Sequence, residues 1–199
     1  MEFFHRATGR PSHLAVFPGA FNPVTVAHLA LTRAALSQMD EVVMVLPRIF
    51  PHKEYSGASF EARAGMLCAA LHRNEPISVA ASDRGLFVEI AEECRAAYGP
   101  DVELAFLCGR DAAERIIGWD YGRPDALPEM LRQFQLLVAA RRGEYEPPDA
   151  LRAAVQRLEL AGEFGDVSAS EVRGRIARGE PWEHLVPPEV HGHVRKNYS

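Results

Sequence analysis

The chain has 199 residues, of which 47% are hydrophobic and 25% charged, and its formal net charge is −5. This length and composition predict one compact domain over residues 1–199, and no apolar run reaches the roughly 20 residues that a membrane helix needs. The negative charge argues against a general affinity for nucleic acid, which requires a clustered cationic surface.

The first dozen residues predict a short flexible lead-in rather than a signal peptide. Residues 1–12 contain Gly9 and Pro11 and lack the apolar core of about 7–15 residues that secretion requires. We therefore expect a cytoplasmic protein with neither a membrane nor a nucleic-acid partner. Cys68, Cys94 and Cys108 are odd in number and widely spaced, which favours reduced core residues over disulfides or a zinc ribbon.

Short apolar runs alternate with helical patterns along the chain. Each run is continuous, as expected for strands that are buried on both faces of a parallel sheet. Their order predicts a doubly wound, Rossmann-like α/β fold, with a mainly parallel sheet of about five or six strands and helices on both faces. The predicted strands are residues 13–17, 41–46, 77–81, 103–108 and 134–140, and the predicted helices are 25–38, 59–72, 86–98 and a broken one over 111–132.

The segment from about 147 to 199 has a different, mainly helical character. We predict a helix over 149–159, a weak strand over 163–167 and a helix that begins after Ser168. Ser168 and Glu171 have the spacing of a capping box, and a last short helix is expected after the two prolines at 187 and 188.

The first candidate site is the stretch GAFNPVTVAH, residues 19–28, which follows the first apolar run. A strand, a glycine turn and a helix start bring free amides and the helix dipole together, and this favours anion binding. Thr25 is a good N-cap, and His28 lies one turn along on the same face. The alternative is that His28 is an ordinary structural histidine.

The second candidate site is the stretch VSASEVR, residues 167–173. Its serine hydroxyls and free amides at a helix start, with Arg173 one turn along, form a second possible phosphate cradle. A helix cap with no ligand is the alternative for this stretch alone. Two such cradles, one at each end of the chain, are much less likely to occur by chance than one.

Together the two stretches resemble the nucleotidyltransferase superfamily with the HxGH or TxGH motif. In that superfamily a Gly-(Ser/Thr)-Phe-(Asp/Asn)-Pro turn precedes the first motif, and Ile-Ser-Ser-Thr-x-x-Arg forms the second. The chain is most similar to the nicotinate (nicotinamide) mononucleotide adenylyltransferases. Further matching positions are Pro-His-Lys at 51–53, Arg63, Gly-Arg-Asp at 109–111, Trp119 and Arg-Arg-Gly at 141–143.

The resemblance implies transfer of AMP from ATP to the phosphate of a pyridine mononucleotide, in NAD biosynthesis, with Mg²⁺ bridging the ATP phosphates and no dedicated metal ligands. It implies catalytic roles for His28, Lys53 and Arg173, and an acceptor site that includes Asn22, Lys53 and Trp119. The implied nucleotide contacts are Gly19, Ala20, Phe21, Thr25, His28, Gly109, Asp111, Ser168, Ser170 and Arg173.

Two departures from the family pattern bear on activity. Ala27 replaces the glycine of the first motif, which adds a methyl where a phosphate is expected to approach. The family carries a Ser-Tyr-Thr segment that recognises the pyridine carboxylate, and here that segment is replaced by Leu86, Phe87 and Val88. An adenylyl- or cytidylyltransferase for another phosphorylated acceptor, such as phosphopantetheine, and a non-catalytic nucleotide-binding module are therefore the alternatives.

Overall fold

The computed structural model describes residues 1–50, 55–72, 74–139, 145–162 and 164–198. The strands in these ranges are β1 (Glu2–His5), β2 (His13–Pro18), β3 (Glu41–Pro47), β4 (Ile77–Ser82), β5 (Glu103–Gly109), β6 (Gln135–Ala139) and β7 (Val155–Leu158). The helices are α1 (Val26–Ala35), α2 (Phe60–Ala69), α3 (Phe87–Tyr98), α4 (Arg110–Gly118), α5 (Ala126–Leu131), α6 (Ala169–Arg178) and α7 (His191–Tyr198).

The strands form one sheet in the order β1-β4-β3-β2-β5-β6-β7. All neighbouring strands are parallel except β1, which runs antiparallel to β4. The predicted doubly wound, Rossmann-like fold is therefore confirmed. The strand order reverses between β2 and β5, where Val16 pairs with Phe106, so the loops that follow these two strands leave the sheet at the same level.

Each face of the sheet carries its own hydrophobic core. One core joins the sheet to α1, α2, α6 and α7, and the other joins it to α3, α4 and α5. Every residue of β3 and β4 is buried, as the continuous apolar runs predicted. None of the helices in the described ranges has the length and apolar character needed to cross a membrane.

The cysteines are free, as predicted. Cys94 and Cys108 are buried in the core that covers the α3 face, and burial raises the pKa of each thiol to about 12. Cys68 is partly buried, and burial also raises the pKa of its thiol. All three side chains are therefore protonated thiols at neutral pH.

The structure differs from the sequence-based prediction at both edges of the sheet. The expected flexible lead-in contains β1, whose Phe3 packs edge to face on Tyr98 with ring centroids 5.8 Å apart. The helix predicted over 149–159 is a 3₁₀ turn followed by β7, which pairs with β6. These two strands bring the total above the five or six expected.

The β7 error has a simple cause. Val155 and Leu158 are buried while Gln156 and Arg157 between them are partly exposed, and this spacing is also that of a helix face. The weak strand predicted over 163–167 is also wrong for residues 164–167, which form turns. Glu163 lies outside the described residues.

A buried carboxylate anchors the edge formed by β1 and β4. Glu41 is 3% exposed, and its Oε1 accepts hydrogen bonds from Ser78 Oγ and Tyr98 OH, both at 2.6 Å. Ser78 Oγ in turn accepts the N–H of Ala7, just beyond β1. Burial and the neighbouring carboxylate raise the pKa of the Tyr98 phenol, so it remains a donor.

Removing that phenol should destabilise the protein. We expect Tyr98→Phe to lower the free energy of unfolding by about 1–3 kcal/mol, because a buried carboxylate loses a donor. Urea unfolding measures the change. The control is Tyr121→Phe, which removes a hydrogen bond at the surface, from Tyr121 OH to the Ile116 carbonyl, and should cost less than about 0.5 kcal/mol. Equal costs would contradict the assignment of Glu41 as a buried anchor.

Candidate functional site

The turn between β2 and α1, residues 19–25, is held close to the sheet. Gly19 N–H donates to the Val45 carbonyl at 3.0 Å, which ties the turn to β3. A Cβ at Gly19 would lie 2.9 Å from the Phe21 ring, so a larger residue does not fit there. Phe21 has φ +45° and a buried side chain, a backbone conformation uncommon for a residue other than glycine. The turn therefore bends sharply at the carboxyl end of β2.

Thr25 and His28 form the start of α1. Thr25 is fully buried, and its Oγ1 accepts the His28 N–H at 3.4 Å. His28 Nδ1 accepts the Thr25 N–H at 3.0 Å and lies 2.8 Å from Thr25 Oγ1. The two residues thus make a reciprocal cap in which histidine takes the place usually held by Glu or Gln.

This cap fixes the orientation of the imidazole. Because Nδ1 accepts the Thr25 N–H, the proton of the neutral ring is assigned to Nε2. The ring packs edge to face on Phe21, with centroids 5.2 Å apart, and is tilted against Phe17 at 6.0 Å. His28 is therefore a partly exposed, oriented side chain at a helix N-terminus rather than a fully buried core residue.

The second predicted cradle lies against the first. Ser168 caps α6 by accepting the Glu171 N–H at 3.0 Å. Arg173 donates from Nη2 to Ser170 Oγ at 3.3 Å and from Nη1 to the Asn22 carbonyl, 151 residues away in the chain. The other half of the expected capping box is absent, because the Glu171 carboxylate accepts from Arg175 at 2.7 Å instead.

Asn22 is the point where several segments meet. Its side chain is buried, and its Nδ2 donates to the Ser56 carbonyl at 3.0 Å. Its Oδ1 accepts from Ala58 N–H at 3.2 Å and from Tyr198 OH in α7. The Asn22–Pro23 peptide bond is cis. The Asn22 side chain, expected to contact the acceptor, is thus engaged with the protein itself.

Gly57 makes this arrangement possible. It has φ +139°, and a Cβ there would lie 2.1 Å from Asn22 Nδ2. The segment before α2 can therefore reach Asn22 only with glycine at this position.

The third group of predicted residues lies beside α4. Gly109 is the last residue of β5 and precedes the first turn of α4, which contains Asp111. Asp111 and Trp119 line an open pocket of about 690 Å³, together with Glu114, Arg115 and Gly118. Trp119 is 57% exposed and lines this pocket.

Residues 86–88, which depart from the family pattern, lie partly at the surface and partly in the core. Leu86 is 43% exposed and precedes α3, and its N–H donates to the Glu89 carboxylate at 3.3 Å. Phe87 instead stacks on Phe106, with centroids 4.4 Å apart. No hydroxyl occurs at positions 86–88.

Some predicted positions fall outside the described residues. They are Lys53 with the other residues of 51–54, and Arg141, Arg142 and Gly143. In the parts of the chain that the structure describes, no three His, Cys, Asp or Glu side chains are grouped as for a metal ion.

The sequence indicated no role for two residues that hold the turn in place. Arg63 Nη1 donates to the Ala20 carbonyl at 2.8 Å, and Tyr198 OH donates to Asn22. Arg63 matched the family pattern, but nothing in its local sequence indicates the contact. These partners lie 43 and 176 residues apart in the chain, and only the folded structure joins them.

Comparisons with known proteins identify the family. The model of the cytidylyltransferase-like family matches residues 16–175. A protein of Carboxydothermus hydrogenoformans, named probable nicotinate-nucleotide adenylyltransferase, is 30% identical over 92% of this chain and 96% of its own length. A protein of the same name from Stenotrophomonas maltophilia is 30% identical over 89% of this chain and 92% of its own.

The fold also matches solved structures. Plasmodium falciparum nicotinic acid mononucleotide adenylyltransferase, complexed with NaAD, superposes with a TM-score of 0.69 at 16% identity. The match covers 92% of this chain and 95% of that one. Its complex with APC gives a TM-score of 0.68. The chain therefore belongs to the cytidylyltransferase-like family and is a nucleotidyltransferase.

Proposed function

We propose that this enzyme transfers AMP from ATP to the phosphate of nicotinate mononucleotide and releases pyrophosphate, a step of NAD biosynthesis. One observation carries the proposal. The contact between Arg173 and Asn22 joins the turn before α1 to α6, so the two candidate phosphate cradles lie together beyond the carboxyl end of β2. The names of the relatives support the choice of acceptor.

The reaction needs no covalent protein intermediate. An oxygen of the acceptor phosphate attacks the α-phosphorus of ATP in line, the bond from that phosphorus to the oxygen bridging the α- and β-phosphates breaks, and pyrophosphate leaves. Catalysis is then mainly positioning and stabilisation of negative charge. In the proposal, His28 Nε2–H, held by the Thr25 cap, donates to the α-phosphate. The Gly19, Ala20 and Phe21 backbone lines the same phosphate.

The second cradle would hold the leaving group. Arg173, Ser168 and Ser170 lie at the start of α6, where the helix dipole also favours negative charge. Mg²⁺ bound to ATP would neutralise part of the phosphate charge, and phosphate oxygens with water are ligands that it prefers. The protein's own contribution here is the guanidinium of Arg173 with the two hydroxyls.

The acceptor would occupy the pocket beside α4. Trp119 offers an exposed ring on which a pyridine can stack. Asp111, which lines the same pocket, is proposed to contact the nucleotide. Lys53 is proposed to hold the acceptor phosphate, and Gly109 to line the nucleotide. Because its amide groups are engaged by Ser56, Ala58 and Tyr198, Asn22 supports the acceptor site by positioning the turn.

The exposed Leu86 is a reason to test acceptors other than nicotinate mononucleotide. An apolar side chain at the start of α3 provides no hydroxyl for a pyridine carboxylate. This favours including nicotinamide mononucleotide and phosphopantetheine as competing acceptors.

Ala27 does not obstruct the proposed phosphate site. Its residue surface is only 1% exposed, and it is one of the buried residues of α1. The methyl that replaces the motif glycine is thus covered by protein rather than presented at the surface. We infer that this enzyme gains helix stability at Ala27 without losing its phosphate contact.

The primary assay measures pyrophosphate release with Mg-ATP and each acceptor in turn. We expect turnover with nicotinate mononucleotide at the highest kcat/KM. A higher kcat/KM with another acceptor would move the function to that acceptor. Binding of ATP with no release from any acceptor would support a non-catalytic module instead. Replacing ATP with CTP under the same conditions tests the choice of nucleotide.

His28→Ala tests the imidazole. We expect kcat to fall about 10²–10³-fold, because one preorganised donor to the transition state is lost. The variant also loses half of the α1 cap, about 1 kcal/mol of stability, so thermal melting must show that it is folded at the assay temperature. The control is His13→Ala, since His13 is exposed at the opposite end of β2, and its kcat should not change. A folded His28→Ala enzyme with wild-type kcat would rule out this role.

Ala27→Gly tests the departure from the motif. We expect a loss of about 1–2 kcal/mol in unfolding free energy, from helix propensity and a lost buried methyl, and no gain in kcat/KM. Ala30→Gly, at a partly exposed position of α1, should lose only the part of the unfolding free energy that comes from helix propensity. If Ala27→Gly instead raised kcat/KM severalfold, the methyl would be limiting phosphate approach.

A further inference from the structure

Arg63 in α2 is a buried cation that the proposed chemistry does not use. Its residue surface is 3% exposed. Among the described residues Arg63 forms no ion pair, and its Nε is buried without a hydrogen-bond partner. Within the described ranges its guanidinium makes one hydrogen bond, from Nη1 to the Ala20 carbonyl at 2.8 Å. A buried arginine with so few partners is costly for folding and calls for a function.

Aromatic rings supply part of the compensation. The Arg63 guanidinium carbon lies 4.2 Å from the centroid of the Tyr55 ring and 5.5 Å from that of Phe60. Cation–π contacts of this kind stabilise a guanidinium in a dry environment. Burial lowers the pKa of Arg63, yet a guanidinium remains protonated at neutral pH. A full positive charge therefore lies directly behind the β2–α1 turn, in a medium that screens it weakly.

The hydrogen bond to Ala20 also sets the direction of a peptide group. In a trans peptide the C=O and N–H point in opposite directions. The Ala20 carbonyl points to Arg63, so the N–H of Phe21 in the same peptide points away from it. Among the described residues this N–H has no acceptor. The same turn has a φ of +45° at Phe21, and a Cβ at Gly19 would lie 2.9 Å from the Phe21 ring.

We propose that Arg63 is a positioning residue of the phosphate site: it orients the Ala20–Phe21 peptide so that the Phe21 N–H faces the ligand phosphates, and its buried positive charge attracts them. The role rests on the proposed function, because it takes residues 19–21 as the lining of the phosphates. Arg63 itself contacts no substrate. It acts through the peptide and through its electrostatic potential.

The test compares a ligand with phosphates and one without. Arg63→Gln keeps a donor near the Ala20 carbonyl but removes the charge. We expect its affinity for ATP, by calorimetry, to fall at least tenfold, while its affinity for adenosine changes less than twofold. Arg63→Lys keeps the charge and should recover a large part of the ATP affinity. A general structural defect would weaken both ligands alike.

Arg48→Gln is the matched control. The Arg48 guanidinium carbon lies 4.4 Å from the centroid of the same Phe60 ring, but its side chain is 39% exposed and it pairs with Glu2 and Asp83. The substitution Arg48→Gln removes one positive charge at a residue that does not contact the turn. The ATP affinity of this variant should therefore stay within twofold of wild type. An equal loss in Arg48→Gln and Arg63→Gln would overturn the proposal, as would an unchanged ATP affinity in folded Arg63→Gln.

A measurement on the wild-type chain remains decisive if the variants do not fold. The amide proton of Phe21 should shift downfield on titration with inorganic pyrophosphate, as expected for an N–H that gains a phosphate acceptor. A Phe21 amide that does not move at saturation would refute the proposed orientation. Pyrophosphate release by wild type is recorded in parallel. Failure of release with every acceptor would reject the proposed reaction, while the binding results would still decide the role of Arg63.

Discussion

The reversal of strand order between β2 and β5 is the constraint on which the site depends. From β2 the chain proceeds to one side of the sheet through β3 and β4, and from β5 it proceeds to the other through β6 and β7. In open sheets of this topology, ligands bind outside the carboxyl ends of the strands at such a reversal. Gly19 and Gly109 each lie three residues beyond the paired Val16 and Phe106, and each precedes a helix, α1 or α4. The topology therefore favours this end of the sheet for the candidate site before any side chain is considered.

The centre of the fold could be predicted from the sequence and its edges could not. Central strands such as β3 are buried on both faces, and this leaves a continuous apolar run that is easily recognised. The edge strands β1 and β7 are half exposed and four residues long, so their patterns resemble a polar terminus and a helix face. What identifies them is pairing with β4 and β6, which is information from distant parts of the chain.

The same division holds for the candidate site. Thr25 with His28, and Ser168 at its helix start, are local arrangements, and their spacing within one turn of helix was sufficient to predict each cap. The contacts of Asn22 with Arg173 and Tyr198 are not local, and neither is the bond from Arg63 to Ala20. At Ala27 the local motif suggested a side chain near the phosphate, whereas in the structure this side chain is buried in the protein interior.

The hydrogen bonds of Asn22 also have a consequence for partial unfolding. They join the turn after β2 to α6 and α7, across 151 and 176 residues of the chain. A local opening that releases α6 and α7 breaks both bonds, so the two candidate cradles separate. Loss of the candidate site should therefore accompany the release of these helices, which also contribute side chains to one of the two cores.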